Sequence, residues 1–197
     1  MKATKPYLLI VTGRPGTGKT TFAKKLGKHI YMPVFSRDEI KEGYVHTLGK
    51  SHAELPKETN KIVTDIFFET IESLLFKNVS LIAEAAFQHK VWESRLCDLK
   101  RKVKLFVLIC KTSDDRISQK RFISRGKDNP MREYFHGDKA VKLDYGGAQP
   151  EISPYDEPHL DVPTIYVDTT GDYSPSIPEL KADIFGMAKG TITQEYD

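Results

Sequence analysis

Short apolar runs alternate along the chain with longer segments in which apolar residues recur at the spacing of a helix. The runs are rich in valine, isoleucine and leucine, which is typical of strands buried on both faces. Parallel strands need a crossover connection, and a helix is its usual form. The pattern therefore predicts an α/β domain, a three-layer sandwich with a parallel sheet of roughly five strands. The predicted strands are residues 7–11, 33–35, 79–83, 103–109 and 164–167.

Helix boundaries are predicted from capping residues and apolar spacing. The stretch from Ser36 to Glu39 has the form of a capping box, so a helix is expected to begin there and to end near Gly43 or Gly49. Pro56 opens a longer helix that Asn78 ends. Its apolar face is predicted to contain Ile62, Ile66, Ile71, Leu74 and Leu75. Other helices are predicted around Phe22, Ala23 and Leu26, around Trp92, Leu96 and Leu99, over about 113–125 with Gly126 at the end, and over 177–187.

The first predicted strand runs directly into a glycine-rich loop. Residues 13–20 match G-x-x-x-x-G-K-[ST] at every fixed position, and a predicted helix follows. Glycines allow the backbone angles at which successive amides point at one anion, and the helix N-terminus adds positive potential. Lys19 is expected to reach the β- and γ-phosphates, and the Thr20 hydroxyl to ligate Mg²⁺. The loop thus predicts a nucleoside triphosphate site formed by Gly13, Arg14, Pro15, Gly16, Thr17, Gly18, Lys19, Thr20 and Thr21.

Composition narrows the function classes only slightly. Hydrophobic residues make up 39% and charged residues 29% of the 197 residues, as in an ordinary globular domain. The net charge of +3 is too small to argue for nucleic acid by itself. Cys97 and Cys110 lack metal or redox spacing, and both are expected to be buried and reduced in a cytoplasmic protein. The N-terminal apolar run belongs to the first strand, so we expect neither a signal peptide nor a membrane span.

The long stretch from residue 126 to residue 162 is rich in glycine, proline and charge and shows no periodicity. Such a segment in a compact domain is typical of a lid, a binding loop or a disordered region. We therefore predict one domain over residues 1–197, with a helical and loop lid and an acceptor-binding segment at about 113–162.

Asp38 directly follows the second predicted strand, between Arg37 and Lys41. In a parallel sheet, side chains at the carboxyl ends of strands gather where the loop threonine also lies. Asp38 is then a candidate base or orienting group for an acceptor hydroxyl, and the neighbouring cations are candidates to bind an anionic acceptor. The alternative is that Asp38 only favours a helix start and pairs with Lys41.

Glu84 ends the third predicted strand, where a carboxylate can bind the metal ion or its water shell; the alternative is a carboxylate that faces solvent.

Arg121 and Arg125 lie four residues apart on one helix face. They are candidates to neutralise charge that develops on the γ-phosphate. The alternative is a solvated basic face that complements the helix dipole.

Four stretches resemble the P-loop kinase superfamily: GRPGTGKTTFAKKL, SRDEIK, LIAEAAF and QKRFISRG. Over roughly residues 7–126 the chain looks most like the kinase domain of polynucleotide kinases and related small AAA-like kinases. The resemblance implies a sheet of order 2-3-1-4-5, Asp38 as general base after Arg37, Lys41 on the acceptor, and Arg121 and Arg125 as lid arginines. Glu84 departs from the family pattern, which has aspartate there.

The leading hypothesis is an ATP-dependent kinase that uses Mg²⁺ to move the γ-phosphate to a hydroxyl of a small molecule or a nucleic-acid 5′ end. A regulatory or mechanical P-loop ATPase without a phosphoryl acceptor is the alternative. A GTPase switch is disfavoured, because residues 168–171 match D-x-x-G but the sequence has no N-K-x-D motif. The sequence identifies neither the acceptor nor the oligomeric state.

Overall fold

The structure is a computed structural model that describes residues 5–137 and 154–190, with side chains as far as residue 186 in the last helix. Its five described strands are parallel and form one sheet in the order β2-β3-β1-β4-β5. The predicted P-loop NTPase sandwich with the kinase-like strand order is thereby confirmed. The strands are β1 (Tyr7–Thr12), β2 (Val34–Ser36), β3 (Leu81–Glu84), β4 (Lys104–Lys111) and β5 (Thr164–Asp168).

Helices connect the strands and cover both faces of the sheet. On one face, Leu8 and Ile10 of β1 pack with residues from the third and fourth helices. On the other face, Leu9 and Val11 pack with residues from the first and last helices. Burial on both faces explains why β1 is a continuous apolar run. The helices are α1 (Lys19–Ile30), α2 (Arg37–Leu48), α3 (Thr59–Phe76), α4 (His89–Leu96), α5 (Asp115–Asp128), α6 (Met131–His136) and α7 (Ile177–Gly190), with a 3₁₀ turn at His52–Glu54.

The prediction for the apolar face of α3 is wrong at one edge. Ile62 is 38% exposed, whereas Val63, Phe67 and Phe68 are buried with Ile71. Counting only isoleucine and leucine missed the phenylalanines, whose rings pack against Phe87 and Trp92 near the sheet.

Two further predictions, on Gly126 and Cys97, are corrected by the fold. Gly126 lies inside α5, which continues to Asp128. Cys97 is exposed, while Cys110 is buried as expected; burial raises the pKa of Cys110 to about 12 and keeps its thiol protonated. The irregular segment contains α6, and residues 138–153 lie outside the described residues. The predicted lid and acceptor-binding segment is therefore described only in part.

Candidate active site

The glycine-rich loop joins β1 to α1 at the carboxyl edge of the sheet. Gly13, Gly16 and Gly18 have φ values of +139°, +83° and +77°, in the region that side chains disfavour. A Cβ on Gly16 would lie 1.9 Å from the carbonyl oxygen of Ser118 in α5. Helix α1 has no acidic residue of its own in its first turn. The loop thus has the backbone form that an anion-binding cradle requires.

Replacing Gly16 with alanine is expected to distort the loop, because the new Cβ meets backbone atoms rather than a flexible side chain. We expect ATP affinity to fall by at least about tenfold and the free energy of unfolding to fall by about 1–3 kcal/mol. Fluorescence titration and chemical denaturation measure the two effects. Gly43→Ala is the control, since its Cβ has open space in α2 and should leave ATP binding unchanged. Wild-type binding by the Gly16 variant would contradict the tight fit.

Lys19 begins α1 and is only 7% exposed. Its ammonium donates a hydrogen bond to the carbonyl oxygen of Arg14, at 2.8 Å. Burial lowers the pKa of Lys19, and the carboxylate of Glu84 opposes that shift. The side chain is therefore held inside the loop and shielded from solvent, where an anionic partner interacts strongly with it.

Glu84 is the last residue of β3 and lies between the ends of β1 and β2. Its Oε2 accepts hydrogen bonds from the hydroxyl of Ser36 at 2.7 Å and from the hydroxyl of Thr20 at 3.1 Å. Burial raises the pKa of Glu84, while Lys19 and the two hydroxyls oppose the shift. The alternative interpretation of the sequence, in which this carboxylate faces solvent, is wrong because Glu84 is only 4% exposed. The predicted capping box is also wrong: the Ser36 side chain makes no cap hydrogen bond.

The Thr20 hydroxyl and the Glu84 carboxylate are suitable donors for Mg²⁺, which prefers oxygen ligands. Nowhere in residues 5–137 and 154–190 do three or more His, Cys, Asp or Glu side chains form a group that could hold a metal ion. Mg²⁺ does not require such a group, because it usually binds through one or two carboxylates together with phosphate oxygens and water.

Asp38 is the second residue of α2; its side chain is 56% exposed, and Arg37 is its described ion-pair partner. Arg37 Nη1 lies 3.5 Å from the Asp38 carboxylate. Partial desolvation at the site edge acts to raise the pKa of Asp38, but the charges of His136, Arg37, Lys19 and Arg132 together hold it below its usual value. Asp38 is therefore ionised at neutral pH.

Helix α6 contacts α2 through Lys41 and through His136. The buried ammonium of Lys41 donates to the carbonyl oxygen of His136 at 3.3 Å. The His136 ring nitrogen lies 2.8 Å from the carboxylate of Glu42. Gly137 packs so closely on His52 that a Cβ would lie 2.3 Å from its ring. Sequence reasoning missed His136, since it lies in a segment without periodicity and no motif surrounds it.

The two lid candidates on α5 have different surroundings. The Arg121 guanidinium donates to the carbonyl oxygens of Thr169 and Thr170, at 2.9 and 2.6 Å. Thr169 in turn donates its hydroxyl hydrogen to the carbonyl oxygen of Thr17 at 2.6 Å. Arg121 thus ties α5 to the segment after β5, which contacts the glycine-rich loop. Arg125 is close enough to Lys19 to act against its protonation.

Tyr155 is a further residue at this edge that sequence reasoning missed. Its hydroxyl lies 2.9 Å from the Thr12 hydroxyl and donates to the carbonyl oxygen of Phe87 at 3.2 Å. Arg14, at the start of the loop, forms an ion pair with Asp115 at 3.3 Å. These contacts hold the base of the loop between α5 and the segment that carries Tyr155.

No helix in the described part of the chain is long and apolar enough to span a membrane.

Solved structures share this fold over nearly the whole chain. A protein from Chloroflexus aurantiacus that bears the provisional name of a kinase is 25% identical, with a TM-score of 0.67 over 98% of this chain and 99% of that one. A gluconokinase from Sinorhizobium meliloti is 12% identical, with a TM-score of 0.57 over 98% and 100%. A chain of the Pnkp1/Rnl/Hen1 RNA repair complex is 15% identical, with a TM-score of 0.52 over 81% of this chain and 51% of that one. The last two show the fold alone.

A comparison with curated proteins finds no match. A family model described as an AAA domain matches residues 8–140, well over half of the chain. The matched region contains the glycine-rich loop, Asp38, Glu84 and both lid candidates. The chain therefore belongs to the AAA domain family and has the fold of the P-loop kinase-like superfamily.

Proposed function

We propose that this protein is an ATP-dependent kinase that uses Mg²⁺ to move the γ-phosphoryl group of ATP to a hydroxyl of a small molecule or a nucleic-acid 5′ end. One observation carries the proposal: the hydroxyl of Thr20, in the glycine-rich loop, donates a hydrogen bond to the carboxylate of Glu84 at the end of β3. A phosphate cradle, a candidate metal site and a carboxylate for the acceptor thus lie at one edge of the sheet.

Residues 13–21 would bind the phosphates through backbone amides, with Lys19 neutralising the β- and γ-phosphates. Thr20 and Glu84 would hold Mg²⁺, the latter directly or through water; the ion would neutralise phosphate charge. Arg125, whose charge acts on Lys19, would be the lid arginine that neutralises charge on the γ-phosphate. Arg121 would first have to leave the carbonyls of Thr169 and Thr170 before it could reach a phosphate.

Asp38 would accept a hydrogen bond from the acceptor hydroxyl. Its lowered pKa makes it a weak base but keeps it ionised over the working pH range. Phosphoryl transfer passes through a loose transition state in most analyses, so orientation of the nucleophile matters more than early removal of its proton. A carboxylate of low pKa suits that role.

The cations around Asp38 support an acceptor that carries negative charge. The charges of Arg37, Arg132 and His136 act on Asp38, and Lys41 contacts the backbone of His136. Such a cluster favours a phosphate or carboxylate group on the acceptor.

A screen with [γ-³²P]ATP and Mg²⁺ tests the proposal. The panel contains 5′-hydroxyl oligonucleotides, nucleosides, sugars, aminoglycoside-like and phenolic antibiotics, and adenylylsulfate, with charged and uncharged versions of each scaffold. We expect transfer of label to one class. Hydrolysis of ATP without a labelled acceptor would instead favour the regulatory or mechanical ATPase.

Within that panel, an acceptor bearing a phosphate or carboxylate is expected to react with a lower KM than its uncharged parent. Lys41→Met should raise the KM of the charged acceptor by about tenfold, the typical effect of losing one charged hydrogen bond, and leave the KM of ATP near its wild-type value. Lys50→Met is the control, because it removes the same charge from an exposed position just beyond α2. Equal KM values for charged and uncharged acceptors would contradict an anionic acceptor.

A further inference from the structure

Ser36 is the last residue of β2 and is only 2% exposed. Its hydroxyl donates to Glu84 Oε2 at 2.7 Å, the same oxygen that accepts from Thr20. Two hydroxyl donors therefore fix one oxygen of the carboxylate, and the described hydrogen bonds leave Oε1 without a donor. The contact follows from strand pairing, since Ser36 and Glu84 are direct partners in the parallel β2–β3 register.

The position of Ser36 invites a different explanation, which its contacts exclude. Ser36 precedes α2 and would normally cap that helix, yet it makes no side-chain cap hydrogen bond. Ser51 shows the contrast, because it forms a true capping box with Glu54. Asp38 and Glu39 in the first turn of α2 complement the helix dipole instead. The Ser36 hydroxyl is therefore engaged with Glu84 and not with the helix.

We propose that Ser36 is a positioning residue for the Mg²⁺ site: its hydroxyl holds Glu84 in the orientation that the Thr20 hydroxyl and the ion require. This inference rests on the proposed function, specifically on the assignment of Thr20 and Glu84 to the metal. A carboxylate that accepts one hydrogen bond can still rotate, whereas one that accepts two hydrogen bonds at the same oxygen is held in place. Groups that orient metal-binding side chains in this way typically change metal affinity by about 10–100-fold when removed.

The test measures how Mg²⁺ changes the affinity for a fluorescent ATP analogue, so it needs no acceptor. For Ser36→Ala we expect the Mg²⁺ concentration that gives the half-maximal effect to rise by about tenfold or more. Affinity for the same analogue in EDTA should stay within about twofold of wild type, since Ser36 lies outside the phosphate loop. Ser36→Thr, which retains the hydroxyl, should restore much of the Mg²⁺ response.

Ser118→Ala is the matched control. Ser118 is also 2% exposed, but its hydroxyl donates to the backbone carbonyl of Asp115. Its loss should leave the Mg²⁺ response unchanged. If Ser36→Ala fails to fold, Ser36→Cys replaces it, because cysteine has a similar size and a much weaker donor. The Mg²⁺ concentration for the half-maximal effect should then rise as well, but by less.

The outcomes separate this inference from the function it rests on. A folded Ser36→Ala protein with the wild-type Mg²⁺ response would overturn the positioning role and leave the metal assignment standing. A folded Ser36→Thr protein no better than Ser36→Ala would also overturn it. If Mg²⁺ does not change the nucleotide affinity of the wild-type protein, the metal assignment itself is refuted.

Discussion

Lys19→Ala is expected to lower ATP affinity by about a hundredfold and to remove phosphoryl transfer. The ammonium lies buried inside the glycine-rich loop, where its interaction with phosphate would not be screened by solvent. Charged hydrogen bonds contribute about 1.5–3 kcal/mol each, and Lys19 can donate more than one to a triphosphate. Fluorescence titration with an ATP analogue measures the affinity, and thermal unfolding checks that the fold is intact.

Lys28→Ala is the control for Lys19, because it removes a lysine from an exposed position on the same helix. It should bind ATP as the wild type does. Lys19→Met, which keeps the apolar stem without the charge, should behave like Lys19→Ala. If both Lys19 variants bind ATP with wild-type affinity while remaining folded, the phosphate cradle has been assigned to the wrong residue.

Asp38→Asn is expected to leave ATP affinity within about threefold of wild type and to lower the rate of phosphoryl transfer by about 10²–10⁴-fold. The carboxylate is kept ionised by His136, Arg37, Lys19 and Arg132, and an amide offers the acceptor hydroxyl a neutral oxygen in its place. Single-turnover transfer of label to the acceptor found in the screen measures the effect.

The neighbouring residue provides the control for Asp38. Glu39→Gln removes a carboxylate from the same helical turn, where Glu39 pairs with Lys24 on α1. We expect its transfer rate to stay close to wild type. An Asp38→Asn protein that labels the acceptor as fast as Glu39→Gln would refute the role proposed for Asp38.

The fold was largely predictable because its signals are local. Buried strands read as apolar runs, and the order of strands and helices restricts the sheet to a few topologies. The predictions were wrong where tertiary packing, and not the local sequence pattern, determines which residues are buried and where a helix ends. The buried face of α3 includes phenylalanines that isoleucine and leucine spacing does not reveal, and Gly126 lies buried within α5 and does not end it.

The candidate site was predictable in part. Its glycine-rich loop follows from consecutive residues, and the strand-end positions of Asp38 and Glu84 follow from the strand pattern. The surroundings of Asp38 did not follow, because His136 reaches Glu42 across 94 positions of the sequence. Arg121 likewise contacts carbonyl oxygens 48 and 49 residues away.

By itself the sequence determined the glycine-rich loop, the layer architecture and the carboxylates that lie at or just after strand ends, because backbone freedom at glycine and side-chain periodicity are properties of neighbouring residues. Only the tertiary structure decided that the Ser36 hydroxyl donates to Glu84 and does not cap α2, and that α6 places charged side chains near Asp38. Those contacts depend on strand register and helix docking, where a shift of one residue would exchange every partner.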